Sequence, residues 1–589
     1  MARDAGVLMH ITSLPSPCGI GTLGREAYRF ADFLKAAGQR YWQILPVGPT
    51  SYGDSPYQSF STYAGNPYLI DLDLLQEEGL LEKEEYEALD WGGDPLRVDY
   101  EALYRSRFQV LRLAYERGAS RDREEFERFR RDNESWLGNY ALFMAVKEHF
   151  GMISWLEWPD EGIRLRRKRS LVQYEKRLKA QVEFWEYVQF LFFRQWRQLK
   201  AYVNSLGILI FGDMPIYVAM DSADTWSNPE IFWLDRSRRP VCVAGCPPDY
   251  FSETGQLWGN PLYDWEFLKK TKYNWWMNRI DLTRRLFDVT RIDHFRAFDT
   301  YYAIPYGEET AVNGQWMEGP GIDFFKTLRR SLGNVPIIAE DLGLLFPSVQ
   351  KLLKKTGYPG MKVLQFAFDS NEENDYLPHH FDNHCVVYTG THDNNTVNGW
   401  LEQASRKDRK FAVDYCRLTK REGYHWGMIR TGLSSVSDLA IAQMQDVLGL
   451  GAESRMNLPS TLGGNWQWRM APDALTPELA GKLRYYTALY GRLPQKTAGE
   501  SGRTLGAACC WTGVPRRTGG AVEYSQGFHL TFLEAFPTRK GCGKAFFAFQ
   551  RHPAHAGRYS AQRGGSPALG LAACCVAARQ GLSRACFRF

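Results

Sequence analysis

The spacing of hydrophobic and polar positions changes several times along the chain, and each change predicts an element. Short apolar runs recur at Gly6–Ile11 (GVLMHI), Tyr41–Val47 (YWQILPV), from Gly207 onward (ILIFGD, ending in Asp213), Val289–Ile292 (VTRI), Val335–Ile338 (VPII), Met361–Phe366 (MKVLQF), Cys385–Thr389 (CVVYT) and Leu439–Gln443 (LAIAQ). Runs of this length, rich in β-branched residues, read as buried strands. Helical spacing separates most of them, as in Arg25–Ala37 with Tyr28, Phe30, Phe33 and Leu34. From about 71 to 205 the pattern is helical throughout. There Phe184, Val188, Leu191, Gln195 and Leu199 form a near-helical stripe with one polar break, the kind that faces a core. Eight strands with intervening helices predict an α/β fold, a (β/α)8 TIM barrel over residues 1–495, with a mainly helical insertion at about 71–205 and an active-site loop at about 220–264.

Ionisable residues collect at the carboxyl ends of these strands, where such barrels place their active sites. In VTRIDHFRAFD (Val289–Asp299), Arg291 and Asp293 lie two residues apart and share one strand face. A carboxylate beside a guanidinium stays ionised near neutral pH, as a glycosidase nucleophile requires. A structural ion pair at a strand end is the alternative. VPII runs into Ala339, Glu340 and Asp341, which point alternately, so one acid at most faces the cleft directly; four preceding apolar residues suit a raised pKa. CVVYT ends in GTHDNNT with His392 and Asp393, and MNLPSTLGGNWQWR brings in Asn465 and Trp466.

Asp293, Glu340 and Asp393 with Arg291 fit retaining glycoside chemistry. Asp293 attacks the anomeric carbon, Glu340 serves as acid and then base, and Asp393 steadies the oxocarbenium-like state. Retention expects the carboxyl groups of Asp293 and Glu340 about 5 to 5.5 Å apart. Two long segments would line the cleft. The loop 48–70 is rich in Ser, Tyr, Gly and Asn and presents Ser55 and Tyr57; the loop 220–264 mixes prolines, polar heads and rings around Asp249–Trp258. Neither hydrolysis nor transfer is singled out by the carboxylates, because both share the first half-reaction. A rigid aromatic loop that excludes water favours transfer.

Composition narrows the classes. Trp 19, Tyr 31 and Phe 34 supply ring platforms for flat ligand faces. No run is long enough for a membrane span, and MARDAG leads straight into a strand, so a cytoplasmic protein is expected. The formal charge of +5 resides in the tail: 13 of the 72 Lys and Arg but only three of the 67 Asp and Glu follow position 495, leaving 59 basic against 64 acidic residues before it, a net −5 that argues against nucleic acid. Cys18, Cys242, Cys246, Cys385 and Cys416 are scattered without a CxxC pair, so no metal site is expected, and His379, His380 and His384 read as an exposed face. Gly19, Gly21 and Gly24 match GxGxxG in form alone, because Pro15 and Pro17 separate them from the strand and no acid follows about twenty residues later. Gly481-Lys482 and Gly543-Lys544 lack the Ser or Thr of a P-loop.

Over residues 5–495 the motifs GDMPIYV, ADTWSNPEIFWLD, PPDYFSETGQLWGNPLYDW, TRIDHFRAF, IIAEDLG, TGTHDNNT and RMNLPSTLGGNWQWR together resemble the 4-α-glucanotransferases, or amylomaltases, of the α-amylase clan. The resemblance implies transfer of α-1,4-glucan segments between maltooligosaccharides or starch- and glycogen-derived glucans, with no organic cofactor. It implies Asp293 as nucleophile, Glu340 as acid/base and Asp393 as stabiliser. Arg291, Asp213, His294 and His392 would then surround the cleaved bond, and Tyr57, Asp249, Glu253, Gln256, Trp258 and Asn465 would contact outer sugars. Ala297, Asn395 and Cys246 depart from the family pattern and bear on fine specificity. The intact carboxylate triad argues against the alternative of a non-catalytic glucan-binding protein.

The tail, 496–589, has no Asp, repeats AACC at Ala507 and Ala572, and shows neither strand nor helix period. It reads as an out-of-frame or read-through product of a GC-rich gene; a genuine basic, disordered extension is the alternative.

Overall fold

The computed structural model describes residues 3–51, 53–248, 252–343, 346–369 and 374–494; the tail reading above lies outside them. The eight expected strands form one parallel sheet. In chain order they are Asp4–Leu8, Tyr41–Gln43, Leu209–Met214, Val289–Ile292, Ile337–Ala339, Gly360–Val363, Cys385–Tyr388 and Leu439–Gln443. Their spatial order runs sixth, seventh, eighth, first, second, third, fourth, fifth. The fifth and sixth strands close the ring: Ala339 N–H donates to Pro359 O at 2.9 Å and Met361 N–H to Asp341 Oδ1 at 2.7 Å. Parallel strands buried on both faces need continuous apolar runs, which is why they were readable from sequence.

Close packing sets the strand registers. Gly212 lies under Phe287, whose ring would sit 2.1 Å from any added Cβ. That contact seats the third strand beside the fourth, with Asp213 paired to Arg291 in register. At the base, buried Arg492 donates to the carbonyls of Leu433, Ser437 and Asp4, fastening the end of the last helix, Pro477–Leu489, to the first and eighth strands.

The helical stretch ends in a 27-residue helix, Lys179–Ser205. All five residues of its stripe are buried, Gln195 included. The polar break has a use: Gln195 accepts from Asp71 N–H (2.7 Å) and donates to Asp71 O (3.0 Å), and Gln189 makes the same pair of bonds with Gly65 (2.7 and 2.9 Å). Two glutamines thus satisfy main-chain groups at the far end of the loop 48–70 as a neighbouring strand would. This helix also packs on the barrel, through Trp196 against Phe287, so it serves as the wall leading into the third strand as well as part of the insertion.

The expectation of an irregular segment over 220–264 needs correcting. It contains the helix Ala223–Ser227 and the strands Cys242–Cys246 and Gln256–Pro261, which join Thr300–Pro305 and Gln315–Glu318 in a four-stranded antiparallel sheet. Pairing partners such as Cys242 and Pro305 are remote in sequence, and prolines and glycines interrupt the alternation. Gly245 lets the strands approach, since an added Cβ would meet Gln256 O at 2.2 Å.

Candidate active site

Arg291, from the fourth strand, organises the centre. Its Nη1 donates to Asp213 Oδ2 at 2.6 Å and its Nη2 lies 2.7 Å from Asp293 Oδ1. The Asp213 side chain is wholly buried and that of Asp293 is 29% exposed, so the same arginine anchors an internal carboxylate and holds another at the cleft. Tyr57 OH donates to Asp213 Oδ2 at 2.7 Å and lies 3.4 Å from His392 Nδ1. Burial pushes the Asp293 carboxyl up, with Asp213 and Asp393 adding to the rise, while Arg291 pulls it back.

Glu340 follows the fifth strand. Its Oε2 accepts from His294 N–H (2.7 Å) and its Oε1 from Leu342 N–H (2.8 Å). His294 reaches this position in a left-handed conformation, φ 49°, that a non-glycine residue adopts only when its surroundings hold it there. Burial raises the Glu340 carboxyl to about 7, the nearby Asp293 charge adding to it and Arg291 with the two N–H donors opposing it. Asp341 points away and bonds to the sixth strand, as alternation requires.

Asp393 is held from three sides. His392 Nε2 is 3.2 Å from Oδ2, Asn457 Nδ2 donates to Oδ1 at 2.6 Å, and Arg455 donates to its main-chain carbonyl. Burial alone would raise this carboxyl, but His392 and Asn457 outweigh it and hold it at about 2. Tyr57 stacks on His392 (centroids 5.0 Å, 18°), and Trp466 lies 5.8 Å from each, giving an aromatic wall beside Asp393.

The outer residues divide. Trp258 meets the His294 ring edge-on at 4.8 Å and donates to Gln256 Oε1 at 3.1 Å. Burial, then the Arg296 and Arg291 charges, lower the His294 pKa to about 3, leaving a neutral ring. Ser55 faces its own turn, its hydroxyl accepting from Tyr57 N–H at 3.2 Å, so it shapes the loop that carries Tyr57. Asn465 is likewise turned inward: its amide accepts from Leu458 N–H (2.9 Å) and donates to Thr461, stapling a glycine-rich loop. Glu253 is exposed at the turn before Gln256, and Asp249 lies outside the described residues. Of the residues departing from the family pattern, Ala297 is buried in the turn Phe295–Phe298 and Asn395 donates to Gln403 at 3.0 Å.

The sequence reading passed over Asn457, Arg455 and His10. Asn457 and Arg455 sit beside the NWQWR run with no local sign that they reach Asp393. His10, at the end of the first strand, accepts from Leu45 N–H at 3.2 Å, and burial and the His392 charge lower it to about 3. His379, His380 and His384 bond to separate partners, Tyr415, Asn374 and Gly357.

A loop after the seventh strand also rests on a buried carboxylate. Asp446, 1% exposed, accepts from Thr389 OH at 2.6 Å and Val397 N–H at 2.7 Å, gripping both ends of the segment that bears His392 and Asp393.

The chain resembles known proteins over most of its length. The family profile described as 4-alpha-glucanotransferase matches residues 9–476. A 4-alpha-glucanotransferase of Clostridium butyricum is 51% identical over 486 residues, covering 82% of this chain and all of the relative. The Thermus thermophilus 4-alpha-glucanotransferase is 48% identical over 495 residues, 82% of this chain and 98% of the relative. Amylomaltase from Streptococcus agalactiae, solved in complex with acarbose, superposes with a TM-score of 0.82 at 44% identity, over 84% of this chain and all of that one. The profile match spans most of the chain, the carboxylates follow the fourth, fifth and seventh strands of a closed barrel, and the chain belongs to the 4-alpha-glucanotransferase family.

Proposed function

We propose that Asp293, Glu340 and Asp393 carry out the glucan transfer of this family by a retaining double displacement. The chain is a 4-alpha-glucanotransferase, moving a segment of an α-1,4-glucan from a donor to the 4-hydroxyl of an acceptor glucan or glucose. An Asp293 oxygen attacks the anomeric carbon; the bond from that carbon to the glycosidic oxygen breaks as Glu340 gives its proton to the glycosidic oxygen of the departing chain, leaving a glycosyl-aspartate. The acceptor hydroxyl then attacks the same carbon, its proton passes to the Glu340 carboxylate, and the aspartyl ester bond breaks. Asp393 lies against the distorted sugar and stabilises its developing positive charge.

The observation that carries this assignment is the unlike setting of two neighbouring carboxyls. Asp293 touches a guanidinium directly, while Glu340 accepts from two main-chain N–H groups and is raised to about 7, which divides nucleophile from acid. Trp258 over His294 and the Tyr57–His392–Trp466 wall form ring surfaces for an acceptor and keep water from the intermediate. Donors and acceptors would be maltooligosaccharides and starch- or glycogen-derived chains, met in the cytoplasm; among the described residues no helix is long and apolar enough to cross a membrane. The net negative charge of residues 1–495 disfavours nucleic acid.

Incubation with maltotriose tests the reading, following both free glucose and longer oligosaccharides. Expected are products longer than the substrate with little gain in reducing ends, all lost in Asp293→Asn. Shortening alone, with rising reducing ends, would mean hydrolysis and overturn it.

A further inference from the structure

We infer that Arg296, gripped between the rings of Trp316 and Phe346, is a positioning residue for proton transfer by Glu340, a clasp that joins the two segments holding the Glu340 carboxyl group. The inference rests on the assignment of Glu340 as acid and base in the reading above.

The two N–H donors to that carboxyl group come from different pieces of chain. His294, which donates to Oε2, opens the turn Phe295–Phe298, and Phe295 N–H also donates to Glu340 O at 3.0 Å. Leu342, which donates to Oε1, belongs to the segment after the fifth strand, four residues before Phe346. A carboxyl group held in this way keeps its place only as far as both segments keep theirs. Misplacing a reacting group by about 1 Å can lose on the order of 100-fold in rate.

Arg296 connects the two. It lies within the turn, 5% exposed, and its guanidinium carbon stands 4.1 Å from the centre of the Trp316 ring and 4.9 Å from that of Phe346. The rings meet edge-on at 5.1 Å (73°), so the cation rests against both. Trp316 is fixed from its other side, paired with Tyr302 across the antiparallel sheet and meeting its ring at 5.1 Å. One side chain thereby ties the turn that supplies His294 N–H both to the sheet and to the segment that supplies Leu342 N–H. A second link runs beside it: Ser348 Oγ donates to Asp299 Oδ2 at 2.7 Å, and Asp299 N–H donates to Arg296 O at 2.8 Å. His294 sits at φ 49°, a conformation that persists where its surroundings over-determine it, and the clasp supplies such a constraint two residues on. Arginine suits the place because its planar guanidinium stacks on ring faces, whereas a lysine there keeps the charge and loses the plane.

The test compares a donor that needs the Glu340 proton with one that does not. In full-length Arg296→Lys and Trp316→Leu proteins, kcat/KM for maltotriose is measured beside first-turnover fluoride release from α-maltosyl fluoride, with the parent and Glu340→Gln alongside. Trp316 is half-buried and leucine keeps an apolar group there, so that protein folds even where Arg296→Lys does not. Expected is a loss of about tenfold with maltotriose and under about twofold with the fluoride. Equal losses with both donors would mean that these residues only support the fold, and no loss with either would mean that the clasp holds nothing in place; each result overturns the inference. A Glu340→Gln protein to which the fluoride restores no activity overturns the acid assignment and the clasp with it.

Discussion

Arg291 and Asp293 meet at 2.7 Å while the other guanidinium nitrogen is 2.6 Å from the fully buried Asp213, so one side chain ties the proposed nucleophile to the barrel interior. An Arg291→Lys variant keeps the charge and loses the fork. It should lose at least 100-fold in kcat, with a smaller change in KM. Arg291→Ala should in addition lower stability by about 3–5 kcal/mol, because Asp213 is left charged and unpaired in the core. Steady-state kinetics with urea unfolding of each variant separates the two effects.

As the proposed acid, Glu340 should set the alkaline limb of the pH profile. The first half-reaction needs its proton, and a carboxyl raised to about 7 loses that proton as pH rises past neutrality, so kcat/KM for maltotriose should fall above about pH 7. The acid limb should report Asp293, which must be ionised to attack and whose carboxyl burial has also raised. An α-maltosyl fluoride donor, whose leaving group needs no proton, should flatten the alkaline limb and should restore glycosylation to Glu340→Gln. A limb that persists with the fluoride would take Glu340 out of the acid role.

Asn457 is expected to act through Asp393. Removing its 2.6 Å bond in Asn457→Ala takes away a donor to a charged group, about 1.5–3 kcal/mol, which corresponds to a roughly 10- to 150-fold loss in kcat and a rise in the Asp393 pKa from about 2. Asn457→Asp should be worse, since it sets two carboxylates face to face. Equal kcat across the three proteins would leave Asn457 a loop residue only.

Asp446 should behave as a positioning residue. Asp446→Ala leaves Thr389 OH and Val397 N–H without their acceptor, at a cost of about 1–3 kcal/mol each, and frees the segment that holds His392 and Asp393. Both Tm and kcat should drop, and Asp446→Glu should recover Tm more fully than kcat, because a longer side chain satisfies the donors while displacing the loop.

The eight barrel strands and the places of Asp293, Glu340 and Asp393 were legible in the sequence because each is a local matter: apolar runs of strand length, buried on both faces, ending in ionisable residues. The helical stripe through Phe184 and Leu199 was legible for the same reason. What the tertiary structure alone decided depends on partners far apart in the chain. Gln195 looks like a flaw in its stripe until Asp71, 124 residues earlier, supplies the groups it bonds. Cys242–Cys246 becomes a strand only because Thr300–Pro305 lies beside it. Asn465, an apparent sugar contact, spends its amide on its own loop, while Asn457 crosses 64 residues to reach Asp393. Periodicity records which face of an element is apolar; which polar atom finds which acceptor is settled only when folding brings distant segments within about 3 Å of one another.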